Sequence, residues 1–147
     1  MSKGGVVQQV VLASIRYFAV CRDCAAQAEW WGVQALVGDE LRWDVECLCA
    51  TCGFAVAICD GDLPAHLRNR LLAEHGHATL RVAPPVQGAK VMRVLRAELG
   101  LDLTDVRAAL ERALTGTHSG TLPEVEHLAR RLRASGIDAT AEPPTVA

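Results

Sequence analysis

From Val6 to Cys59 the apolar residues recur mostly at a period of two, and from Leu63 onward mostly at the helical period of 3.6. Val6–Val20 is rich in β-branched residues and reads as one or two strands, with an irregular break near Ala13–Ser14. Trp30–Val37 is a second strand, and Gly38-Asp39-Glu40 is a turn signal. Leu41–Cys49 alternates cleanly. Leu41, Trp43, Val45 and Cys47 share one face, and Arg42, Asp44 and Glu46 share the other, as in a half-buried antiparallel strand. Gly53–Cys59 is a further strand, closed by Asp60-Gly61-Asp62. Asp62 then stands as N-cap of a helix over Leu63–His75, with Leu67, Leu71 and Leu72 as its apolar stripe and Gly76 at its end.

The second half has the sharper pattern. Thr79–Ala83 is a short strand ended by Pro84-Pro85. Ala89–Leu99 is a helix carrying Val91, Met92, Leu95 and Leu99 on one face, closed by Gly100. A second helix, Thr104–Leu114, turns Val106, Ala109, Leu110 and Ala113 inward. Thr115–Ser119 is a weak strand or extended loop. Thr121-Leu122-Pro123-Glu124 has the form of a capping box and opens a third helix that runs to Ala134. Gly136 stops it, and Ile137–Ala141 is the last strand. The expected class is α+β. An antiparallel β module over residues 1–77 ends in a helix, a β-α-α-β-α-β two-layer sandwich follows over 78–142, and 143–147 are a tail. The connection from His77 to Pro85 is short, so the halves are expected to be packed or closely tethered.

Cysteine placement changes this picture most. All 6 cysteines lie between Cys21 and Cys59. With no secretion signal in view, such clustering points to metal before disulfides. Cys21-Arg22-Asp23-Cys24 follows the first strand region, and Cys49-Ala50-Thr51-Cys52 follows the Leu41 strand. A two-residue insert bends the chain so that both thiolates face one ion. Two such knuckles at the ends of antiparallel strands complete a tetrahedral site, so Cys21, Cys24, Cys49 and Cys52 form a zinc-ribbon-like module with a structural zinc as cofactor. A hairpin such as Trp30–Leu48 fills the long insert between the pairs. Four incidental thiols or a redox pair are the alternatives, though no βαβ pattern supports the latter. Cys47 and Cys59 read as buried free thiols. Either of them, or His66, His75 or His77, is an alternative ligand.

Charge narrows the function classes. Residues 1–77 carry 6 Lys+Arg against 9 Asp+Glu, and residues 78–147 carry 9 against 8, for a net charge of −2. Neither half has the positive excess needed to grip a phosphate backbone. Aromatics are 4% of the chain, too few to provide for base stacking. Val6–Val20 contains Gln8, Gln9, Ser14 and Arg16, too polar to span a bilayer, and no cleavage site follows it. No membrane association and a cytoplasmic location are therefore expected. For an enzyme, Cys59 and His66 are the only imaginable nucleophile and base. Nothing orients that histidine, no phosphate-cradling glycine loop exists, and no carboxylate pair is tied to a pocket, so no catalytic residue is assigned.

The order and residues of 78–142 resemble the C-terminal domain of the ribosomal stalk protein L7/L12. The family's Lys-Val-x-Val-Ile-Lys-x-Val-Arg helix corresponds to Val91-Met92-Arg93-Val94-Leu95-Arg96. Its Gly-Leu-Gly-Leu-Lys-Glu-Ala-Lys corresponds to Gly100-Leu101-Asp102-Leu103-Thr104-Asp105-Val106-Arg107. Its closing Ala-Gly step corresponds to Leu132-Arg133-Ala134-Ser135-Gly136-Ile137. Asp102 and Thr104 depart from the family's Gly and Lys. In that family the first two helices recruit translational GTPases. The resemblance therefore implies a protein partner, a translational GTPase or another protein, met by Arg93, Arg96 and Arg107. Protease adaptors of the ClpS type share a similar fold and also bind proteins. The expected function is a non-enzymatic, zinc-binding adaptor or accessory protein, which the resemblance links to translation. The alternative is a zinc-ribbon nucleic-acid-binding or transcription-associated regulator, against which the acidic first half speaks.

Overall fold

The computed structural model describes residues 9–145. The fold is mixed α+β, with two antiparallel sheets. The first is a meander of β1 (Val11–Val20), β2 (Gln27–Val37), β3 (Glu40–Leu48) and β4 (Ala55–Ile58), hydrogen-bonded in that order. Alternation decides its faces. Ala13, Ile15, Trp30, Trp43 and Cys47 are buried on one side, while Leu12, Phe18, Val20 and Leu48 stay exposed on the other. Tyr17, Trp30, Cys47 and Val56 face one another across the strands as a single row. A Cβ at Gly32 would overlap the Trp43 ring, so the missing side chain there is what lets the indole lie flat on β2.

Several expectations shift here. β1 is one unbroken strand whose pairing with β2 runs through Ala13 and Ser14, so no break occurs there. Residues 6–8 lie outside the described residues. The helix expected from Leu63 begins later, as α1 (Ala65–His75), and its N-cap is Pro64 rather than Asp62. The cause is local: a residue before proline is disfavoured in the helical region, so Leu63 stays extended and the helix starts after the ring. Leu67 and Leu71 of α1 pack on Ala13, Ile15 and Trp43. The Arg70 Nη2 donates to the Arg16 carbonyl at 2.9 Å, and the His75 Nε2 lies 2.7 Å from the Ser14 carbonyl. These contacts occupy open hydrogen-bonding positions on β1, an edge strand.

The second sheet has β5 (Ala78–Val82) between β6 (Ser119–Gly120) and β7 (Ala139–Glu142), antiparallel to both. Three helices cover it: α2 (Gly88–Leu99), α3 (Leu103–Thr115) and α4 (Leu122–Ala134). Leu80, Val91, Leu95, Val106, Val125 and Leu132 are fully buried in their common core. Such burial contributes about 1.5–3 kcal/mol per large side chain. Gly100, at φ 64°, ends α2 in the left-handed region, as read from the sequence. Asp102, the departure from the stalk-protein pattern, is the N-cap of α3 and accepts from the Asp105 N–H at 2.8 Å. The Thr121–Glu124 capping box is present.

The halves meet through α4, which packs against β1, β2 and β3 as well as against β5 and β7. Gln34, buried on β2, donates from its Nε2 to a Glu124 oxygen at 3.3 Å, and the Thr121 hydroxyl donates to the Gln34 Oε1 at 2.5 Å. Arg68 of α1 forks both Glu124 oxygens at 2.8 Å. Arg130, only 6% exposed, donates to the carbonyls of Gln9 at 2.6 Å and Gly38 at 3.1 Å, and to Glu126 at 2.8 Å. Each of these donors finds an acceptor from the other half, so the two sheets are docked by directional bonds as well as by apolar contact.

Candidate functional site

The two knuckles have the same backbone plan. In the first, the Cys21 N–H donates to the Ala26 carbonyl at 2.7 Å and the Ala25 N–H to the Cys21 carbonyl at 3.0 Å. In the second, the Cys49 N–H donates to Phe54 at 2.8 Å and the Gly53 N–H to Cys49 at 2.9 Å. The residue after the second cysteine turns to positive φ in both, 64° at Ala25 and 78° at Gly53. Glycine takes that conformation freely. Alanine does so at a cost of about 1 kcal/mol, so the first knuckle carries strain that the second avoids.

This plan brings four sulfurs together. Cys21, Cys24, Cys49 and Cys52 present ligand atoms that all lie within 4.8 Å of one another. Cys21 and Cys52 are 3.7 Å apart at sulfur, as are Cys24 and Cys49. A tetrahedron with metal–sulfur bonds of about 2.3 Å places its sulfurs about 3.8 Å apart. The cluster therefore fits a tetrahedral ion. All six cysteines are free thiols. Cys21 and Cys49 are buried, while Cys24 and Cys52 face outward.

The thiols do not ionise alike. The Cys52 N–H pulls the Cys49 thiol down, burial opposes it, and bonds from the Thr51 N–H, Cys24 and Cys21 bring it to about 6. The Phe54 N–H favours the Cys52 thiolate, but burial and the thiols of Cys24, Cys21 and Cys49 push that group up to about 12. A first thiolate forms readily and a last one is resisted by its neighbours. A dication at the centre would remove that resistance, which is why such sites bind metal with release of protons.

The other nominated ligands stay apart. Cys47 is buried among Cys21, Ala28, Trp30 and Cys49 as a packing residue, and burial pushes its thiol up. Cys59, expected to be buried, is exposed. β4 ends at Ile58, and Asp60, at φ 59°, turns the chain away with its N–H on an Asp44 oxygen at 2.6 Å. His66, His75 and His77 are exposed. Among the described residues, no histidine joins a metal-ligating group.

The second candidate surface lies between α2 and α3. A groove of about 540 Å3 is lined by Met92, Leu103 and Val106, with Arg93 and Arg96 on its walls. Leu103 is 62% exposed there. The helix expected over Thr104–Leu114 leaves Leu103 outside it, and no role at this surface is expected for it from the sequence. Its signal was the Asp102 cap, which makes Leu103 the first helical residue. Arg107 is exposed but does not line the groove, and with α3 starting at Leu103 it sits beyond the first turn. Among the described residues none of Arg93, Arg96 and Arg107 takes part in a salt bridge. No described helix is long and apolar enough to cross a membrane. No protein-family model, no curated protein and no solved structure matches the chain.

Proposed function

We propose that the chain is a non-enzymatic protein-interaction factor. A structural zinc on Cys21, Cys24, Cys49 and Cys52 stabilises it, and residues 78–142, arranged like the L7/L12 C-terminal domain, recognise a protein partner. The zinc reading rests on an all-sulfur donor set at tetrahedral spacing, which leaves no open position for substrate. The ion would cross-link two hairpin ends.

The observation that carries the partner reading is the α2–α3 groove. It joins an apolar floor to two arginines that form no salt bridge among the described residues. Such a groove suits an acidic, amphipathic protein segment, with the apolar residues supplying affinity and the cations steering the encounter. By resemblance, a translational GTPase is the first partner to try.

The test is capture of a purified translational GTPase, and of native-lysate proteins, by the wild-type chain and by Arg93→Glu/Arg96→Glu. The variant should lose capture while keeping its circular dichroism and melting transition. Undiminished capture by the folded variant would place recognition elsewhere. Binding to single-stranded nucleic acid that weakens with salt would favour the zinc-ribbon regulator instead.

A further inference from the structure

The outer face of the first sheet departs from ordinary alternation. An antiparallel sheet with one wet face usually carries polar residues on that side. Both helices that meet this sheet take its inner side. Leu67 and Leu71 of α1 pack on Ala13, Ile15 and Trp43, and Thr121 and Glu124 of α4 bond to Gln34. On the outer side, Leu12, Phe18, Val20 and Leu48 are 57–68% exposed. Single exposed apolar side chains are ordinary, but these share one face, and a patch of that kind marks an interface.

Register sets the face in rows. One row runs Phe18, Glu29, Leu48, Ala55 from β1 to β4, and the next runs Arg16, Trp31, Glu46, Ala57. The second row is positive on β1, aromatic on β2 and negative on β3. A two-fold axis along β2 exchanges β1 for β3, so this row matches a copy of itself. Arg16 meets Glu46 of the second copy, and the two Trp31 rings meet on the axis. Glu46 is exposed and forms no salt bridge among the described residues. Glu29 also falls on the axis, where Arg16 of its own copy, 3.3 Å away, offsets its charge. Asp44 is likewise held by Arg42 at 3.4 Å.

Shape follows the same symmetry. The axis brings Phe18 of each copy over Leu48 of the other. There a hollow of about 420 Å3 is lined by Trp31, Glu46, Leu48, Ala55 and Ala57. The two alanines leave room for a ring. Strands of these lengths, about 4.8 Å apart and rising about 3.3 Å per residue, present about 500 Å2 per copy. Two copies then cover about 1,000 Å2, the lower bound of a specific interface.

We infer that the chain pairs with a second copy of itself through this face, as two sheets stacked about a two-fold axis along β2. Stacked sheets cross at about 30°, as their twist favours, and lie about 10 Å apart. Each copy supplies one Phe18 and one hollow, so the contacts close on themselves at two chains. The face shares no residue with the α2–α3 groove, so pairing leaves that groove open and is independent of the partner reading.

The test is sedimentation equilibrium of the full chain as purified, from about 1 to about 500 µM. The wild type should show a reversible monomer–dimer equilibrium. Phe18→Glu and Glu46→Arg should each raise the dimer Kd about a hundredfold, since each change is met twice at about tenfold per contact. Phe18 and Glu46 are exposed, so circular dichroism and melting should not change. Arg16→Glu combined with Glu46→Arg exchanges the two charges and should bind about tenfold tighter than Glu46→Arg alone. A wild-type chain that stays monomeric at the highest concentration would overturn the inference. So would a dimer whose Kd is unmoved by Phe18→Glu, which would place the contact elsewhere, such as the free edge of β4. A double variant no tighter than Glu46→Arg would contradict the two-fold axis along β2.

Discussion

Cys47 and Cys59 share a thiol and differ in everything that surrounds it. Cys47 stands on the buried row of Tyr17, Trp30 and Val56, while Cys59 stands in solvent beyond the end of β4. Cys47→Ala should therefore lower stability by about 1 kcal/mol, the removal of a small buried group. Cys59→Ala should change it by less than about 0.5 kcal/mol. Both variants should retain metal. Urea unfolding with metal content measured alongside checks this, and loss of metal from either variant would redraw the ligand set. Residue by residue, the gathering of Cys21, Cys24, Cys49 and Cys52 was the most legible part of the chain. Cys-x-x-Cys carries its geometry in its spacing, because the knuckle is a local turn. Cys59 was misread because strand alternation predicts a face and is silent about where pairing stops. That stop is set by Asp60 and its bond to Asp44, a partner 16 residues back.

Among the elements, α4 has the most demanding position, since one helix closes both cores. Its capping box was visible in the sequence as Thr121 and Glu124. The second use of those residues was not visible, because Gln34 and Arg68 come from elements 90 and 56 positions away from Glu124. Burial alone would raise the Glu124 carboxyl. The Arg68 fork, the Thr121 N–H and Gln34 outweigh it and hold the group below its ordinary 4.5. A carboxylate depressed in the folded state stabilises the fold above its unfolded pKa, and that contribution fades as the pH falls through the folded value. Glu124→Gln keeps a side chain that can close the capping box but loses the ion pair. The substitution should cost about 1 kcal/mol at neutral pH, given the partial exposure of Arg68. The difference from wild type should vanish once the pH is well below 4.5. Paired melting curves across that range check it, and a pH-independent difference would mean that the pair contributes little. Helix starts were the least legible feature of the elements. Asp62 offered a cap, but Pro64 excluded helical geometry at Leu63, and the backbone constraint prevailed.

At the scale of the molecule, two cores are joined by one interface, and they depend on different forces. The buried core of the second half draws on residues from Ala78 to Ala139 alone. The first sheet has two smaller clusters, and the one at the knuckles is built around Cys21, Cys47 and Cys49. Under the proposed function, a structural ion on the four cysteines would supply this divided core with a cross-link. Chelation should therefore melt the first sheet and free the α4 face that now meets it through the Gln34–Thr121 and Arg130–Gly38 hydrogen bonds. The core of α2, α3, α4 and β5 should remain, seen as surviving methyl signals of Leu80, Leu95 and Leu132. The most direct measurement is the metal content of the pure, folded chain by native mass spectrometry. The account predicts one zinc per chain, lost on Cys49→Ala. A well-folded wild-type chain carrying no metal would contradict it.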